Sequence, residues 1–198
     1  KEVKSTVLNL NIKKIIIGRM NGIEKGGDKM KKYKYFKNID KYAYYTEIPC
    51  QFCGKGEKCL DGAFFERPEI VSVCLDCFEK KKAFVDIPSY ITDKIKEDVD
   101  RKTFTLKYTP PVPWIQNNEW PVCCDDYMVY IGEWSQDDFN NAALDGNGKA
   151  LLEKLLAKYL KNIVENYEIL WDDIGYETAA YVFECGICGK KTVICQDY

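Results

Sequence analysis

Two Cys-x-x-Cys pairs, Cys50/Cys53 and Cys74/Cys77, constrain this chain more than any other feature, because the sequence holds no histidine at all. Four thiolates at this spacing form a tetrahedral all-sulfur cage, and zinc is the usual occupant of such a cage. A third pair, Cys185/Cys188, repeats the Cys-x-x-Cys-Gly-Lys wording of the first near the C-terminus. That pair needs two more ligands. Cys123 and Cys124 are the first candidates and Cys195 the next. Adjacent cysteines share one ion only through a strained turn, which leaves open that one of the two stays free. Cys59 reads as a spare thiol. The expected cofactor is zinc, one or two ions.

Ten cysteines are also compatible with a disulfide framework or with iron–sulfur ligation. Zinc is favoured over both, because no export signal is visible and the x-x spacing suits chelation. The missing imidazole removes Ser-His-Asp and Cys-His machinery, so acid–base chemistry would fall to Asp, Glu, Tyr, Lys or Cys. The chain has 198 residues, 46% hydrophobic and 30% charged, enough for one or two small domains with a real core. A net charge of -2 argues against a broad nucleic-acid footprint. No apolar run approaches the roughly 20 residues of a membrane span. These readings place the chain in the cytoplasm, without membrane insertion.

Three segments are expected: residues 1–29 as a non-native or disordered extension, 30–105 as an N-terminal zinc-knuckle module, and 106–198 as a C-terminal α+β part. The last two could form one compact domain. The stretch Lys25-Gly26-Gly27-Asp28-Lys29 before Met30 reads like a translated ribosome-binding site, which suggests a biological start at Met30. Alternating aromatics at Tyr33/Tyr35 and Tyr42/Tyr44 suggest extended chain. Gly54, after the second knuckle cysteine, lets the backbone turn at positive φ. Residues 60–73 fit a short hairpin. Phe78–Phe84 is helix-compatible and places Cys74 and Cys77 at a helix N-terminus, where the dipole would favour thiolate. The order knuckle, hairpin, helix predicts a treble clef, with a zinc ribbon as the alternative. One helix is expected over 88–101 from Ile91, Ile95 and Val99, and a longer one over Leu151–Val164. Two strands, 179–183 and 192–194, should flank the third pair. The fold class is therefore α+β.

The ordered motifs extend beyond the cysteines. Thr109-Pro110 precedes Trp114 and Trp120. Cys123-Cys124-Asp125-Asp126 comes before Tyr130-Ile131-Gly132, and Ala180-Tyr181-Val182-Phe183 leads into Cys-x-x-Cys-Gly-Lys. Over roughly residues 33–195 this resembles the CbrC family, bacterial proteins named for a colicin-tolerance phenotype. The family pattern has His-Cys where this chain has Cys123-Cys124, and a further Cys in place of Met128. The resemblance thus implies a ligand role for Cys123 and a ligand lost at Met128. Ile115 also separates Trp114 from Gln116, where the family has Trp-Gln.

The resemblance implies a link to colicin tolerance or envelope stress, but no activity. The expected role is a non-enzymatic zinc-binding interaction or regulatory protein with a protein partner, nucleic acid being disfavoured by charge. Lys80-Lys81-Lys82 reads as a solvated face. Aromatic loops over 109–134 are the candidate contact surface, with core as the plainer reading. The alternative is a zinc-dependent enzyme using the Cys123–Asp126 segment, with Asp125, Asp126 or Glu119 as base. Against it stands the simpler reading of those acids as turn caps. The 50–77 segment alone carries too few apolar residues to stay ordered without a metal clamp.

Overall fold

A long, almost wholly buried strand lies near the C-terminus, and the aromatic residues of the middle of the chain pack onto it. In the computed structural model, which describes residues 33–198, β7 (Thr178–Glu184) runs between β6 (Val129–Glu133) and β8 (Lys191–Asp197), antiparallel to both. Ala179, Ala180, Tyr181, Val182 and Phe183 are all buried, so both faces of this strand are covered. Alternation is absent here because neither face meets water. Trp114 stacks on Phe183 with ring centroids 5.7 Å apart, and Trp120 meets the same ring edge-on at 5.5 Å. The Trp120 indole N–H donates to the Met128 carbonyl at 2.8 Å. Trp114, Trp120, Tyr127 and Tyr130 are thus core residues, which corrects the expectation of a contact surface over 109–134.

A second antiparallel sheet comprises β1 (Tyr45–Thr46), β2 (Cys59–Asp61) and β3 (Ser72–Cys74), with Cys59 opposite Cys74. Before it, Tyr33 and Phe36 make isolated bridges and only residues 39–42, which include Tyr42, are helical rather than extended. Asn38 caps α1 (Ile39–Tyr42) by accepting the Lys41 N–H, and this overrides the aromatic alternation. After β3 the chain enters α2 (Leu75–Glu79), which begins and ends earlier than the sequence suggests; Lys81 at φ 59° lies just beyond it. Knuckle, hairpin strands and ligand-bearing helix therefore follow in treble-clef order, and a ribbon ending in strands is not what forms. Leu60, Phe65, Ile70 and Val73 join the same buried cluster as Tyr181 and Phe183. The 50–77 segment thus draws on a shared core, contrary to the expectation that it has too little apolar interior.

Two expected helices are broken, each by a long-range hydrogen bond. The 88–101 helix is α3 (Ser89–Thr92) and α4 (Val99–Lys107), with Asp98 at φ 52° between them. The Lys96 and Glu97 amides donate to the Asp125 carboxylate at 2.7 and 3.1 Å rather than to helical carbonyls. The hairpin carrying that carboxylate is β4 (Val122–Cys123) and β5 (Asp126–Tyr127). After α5 (Gln136–Ala142), the helix expected over 151–164 appears as α6 (Gly148–Leu155) and α7 (Lys158–Lys161). Leu156 and Ala157 between them are extended, and the Ala157 N–H donates to Val193 of β8 at 2.8 Å. Helix α8 (Tyr167–Asp173) then leads into β7. The predicted strands around the third cysteine pair both form. Helices and strands occupy separate stretches of the chain, an α+β arrangement. The expectations for residues 1–29 and for Met30 lie outside the described residues. Among the described residues no helix is long and apolar enough to cross a membrane.

Candidate metal centres

Both knuckles close through the same backbone ring. At the first, the Cys50 N–H donates to the Lys55 carbonyl at 2.8 Å and the Gly54 N–H returns to the Cys50 carbonyl at 2.8 Å. At the second, Cys185 N–H to Lys190 O measures 2.8 Å and Gly189 N–H to Cys185 O 2.9 Å. Gly54 and Gly189 sit at φ 73° and 70°, a region where a side chain is strained. The shared Cys-x-x-Cys-Gly-Lys wording thus encodes one loop used twice.

The remaining sulfurs arrive differently. Cys74 ends β3 at the residue just before α2, and Cys77 lies three residues further on, inside the helix. Gln51, within the knuckle, ties it to the hairpin. Its Oε1 accepts the Ser72 N–H at 3.1 Å, and its Nε2 donates to the Glu69 carbonyl at 2.9 Å. At the second centre, the knuckle is the loop joining β7 to β8, with Glu184 and Lys191 paired across its base at 3.0 Å. Its partners come from the β4–β5 hairpin, where Cys123 pairs with Asp126 and leaves a two-residue turn, Cys124-Asp125. Both turn residues have positive φ, 53° and 57°, the signature of a type I′ hairpin. This is the strained turn that adjacent ligands require.

In each group all four Sγ atoms lie within 4.8 Å of one another: Cys50, Cys53, Cys74 and Cys77 in the first, Cys123, Cys124, Cys185 and Cys188 in the second. A tetrahedral zinc site with Zn–S of about 2.3 Å has S–S edges of roughly 3.8 Å. Three sulfur pairs match that spacing: Cys53–Cys74 at 3.5 Å, Cys123–Cys188 at 3.7 Å and Cys123–Cys124 at 3.8 Å. Both donor sets fit a tetrahedral thiophilic ion. Cys59 and Cys195 stand outside the two groups. The Cys59 thiol donates to the Lys55 carbonyl at 3.1 Å, and Cys195 lies on β8 with its thiol pushed up to about 12 by burial.

Within each group the thiols are electrostatically unequal. Burial pushes Cys50 up, but the Cys74, Phe52 and Cys53 amides outweigh it and bring the thiol down to about 6. The Lys190 amide leads the same effect at Cys188, lowering it to about 7. Cys77 and Cys123 move the other way, to about 12, chiefly through burial. Each group therefore holds a ready first thiolate, and a cation would supply the charge that releases the remaining protons.

The acidic residues beside the second group are occupied elsewhere. Asp125 holds the Lys96 and Glu97 amides and an ion pair with Lys102 at 3.0 Å, which together keep its carboxyl below the usual range. Asp126 accepts from Lys34 and from the Tyr35 hydroxyl, both at 2.7 Å, and these bonds overcome the upward push of its burial. Glu119 accepts the Tyr159 hydroxyl. The tie from Asp125 to residues 96–97 is absent from any sequence motif. Its one local signal is a turn-tolerant Asp between the apolar flanks Val122 and Tyr127.

The fold and its sulfur clusters define an α+β protein with two four-cysteine groups able to hold metal ions. The family model described as Uncharacterised protein family (UPF0167) matches residues 30–197, and the chain belongs to that family. No curated protein and no solved structure matches it.

Proposed function

We propose that this is a non-enzymatic zinc protein of the cytoplasm, in which two closed four-cysteine sites hold an interaction module for a protein partner. The observation that carries the reading is the convergence of four sulfurs in both groups, with an all-sulfur donor set in each. Catalytic zinc keeps an open position and has imidazole or carboxylate among its ligands, whereas four thiolates close the coordination sphere. The nearby carboxylates also have other partners, which weakens the alternative of an enzyme built on the Cys123–Asp126 segment. The CbrC resemblance adds colicin tolerance or envelope stress as the setting, to be tested by the colicin sensitivity of a deletion strain.

X-ray absorption at the zinc edge tests the chemistry. Four sulfur neighbours per zinc, with no oxygen, are expected. A mixed sulfur–oxygen shell at either site would favour the enzyme.

A further inference from the structure

The break between α6 and α7 has a second effect. Because Ala157 is pinned to Val193, the two short helices stand beside the start of β8 and leave a cleft of about 550 Å³ between them. Six lysines line it: Lys94, Lys154, Lys158, Lys161, Lys190 and Lys191. Glu119 is the one acidic lining residue. Lys191 is paired with Glu184, and Lys161 donates to the Lys154 carbonyl at 2.8 Å. Among the described residues, no carboxylate pairs with Lys94, Lys154, Lys158 or Lys190. This concentration of positive charge sits in a chain whose net charge is -2. Charge separation of that kind costs self-repulsion unless an anion relieves it.

We propose that this cleft binds a short acidic polypeptide segment, rich in Asp or Glu, from a partner protein. The proposal rests on the interaction-module reading and names the surface and the partner chemistry. Leu155, Leu156 and Ile194 line the same cleft and add apolar contact for the aliphatic part of such a segment beside the ammonium groups. Lysine presents a point charge rather than the bidentate fork of arginine, so it suits single carboxylates whose geometry varies. A nucleic-acid strand fits less well. It carries a phosphate at every nucleotide, so it would have to pass Glu119 and continue over a chain that is net acidic. A short acidic segment places its charge only where the lysines are.

Fluorescence anisotropy on the zinc-loaded full-length protein tests this with three labelled probes: polyglutamate, polyglutamine and oligothymidylate. Polyglutamate should bind, weaken steeply between low and physiological salt, and lose at least tenfold in affinity in the Lys154→Glu/Lys158→Glu variant. Polyglutamine should not bind. Lys94→Glu, from a different part of the chain that lines the same cleft, should weaken polyglutamate in the same direction, which covers the case of misfolding of the double variant. Absent polyglutamate binding, tighter oligothymidylate binding, or affinity unchanged in both variants would overturn the proposal. Zinc content measured on the same samples separates the two readings. Two zinc ions without peptide binding would sink only this inference, and peptide binding by protein that takes up no zinc on loading would sink only the metal reading.

Discussion

Replacing Cys124 by Asn should change stability in opposite directions with and without zinc. Cys124 opens a type I′ turn at φ 53°, where a residue other than Gly, Asn or Asp costs about 1 kcal/mol. Asn tolerates that conformation, so in protein stripped by a strong chelator Cys124→Asn relieves about 1 kcal/mol of strain. For an ordered region of this size, that raises the melting temperature by about 2–4 °C. With zinc present the same change removes a ligand. If affinity falls about 100-fold, linkage lowers stability by about 2.7 kcal/mol, which exceeds the turn relief and leaves a net loss of about 2 kcal/mol. The melting temperature should then fall by about 4–8 °C. Thermal denaturation followed by circular dichroism, run on both forms of both proteins, reads the four values. A shift of the same sign in both forms would refute the coupling of turn strain to metal ligation.

Three further outcomes follow from the geometry. Cys53→Ser and Cys188→Ser should each remove about one zinc per chain independently, while Cys59→Ser and Cys195→Ser leave the count unchanged by elemental analysis. Gly132→Ala should cost about 1–3 kcal/mol in denaturant titration, because Gly132 sits at φ 134° at the β6 bulge and a Cβ there would lie 2.5 Å from the Tyr42 ring. Zinc binding needs deprotonated thiols, so acidification should release zinc to a chromogenic chelator and raising the pH should not; release independent of pH would contradict thiolate ligation.

The knuckles were legible because their chemistry is local: Cys-x-x-Cys-Gly-Lys specifies its own ring of hydrogen bonds, and Gly54 and Gly189 supply the turn. The treble-clef order was legible for the same reason, since Cys74 and Cys77 border a helix-forming run. The two broken helices were not. Ile91, Ile95 and Val99 do carry helical periodicity, but the amides at 96 and 97 find a better acceptor in Asp125, far along the chain. Likewise the Ala157 N–H gives up a helical acceptor for the Val193 carbonyl, one residue after Leu156 makes the last bond of α6 to Leu152. Hydrophobic spacing cannot register a competitor of that kind. Cys123 and Cys124 were half legible, as candidates whose simultaneous use depended on a turn visible only in three dimensions. Charge summed over the whole chain concealed the lysine cleft, because a total carries no information about position.

The central claim is that two separate sulfur cages each hold a zinc ion. Metal analysis of protein purified without a metal-binding tag, paired with its intact mass under native conditions, tests it directly. Two zinc ions per chain, with all ten cysteines reduced, is the expected result. A folded protein carrying no metal, bound iron in place of zinc, or disulfides within either group would contradict it.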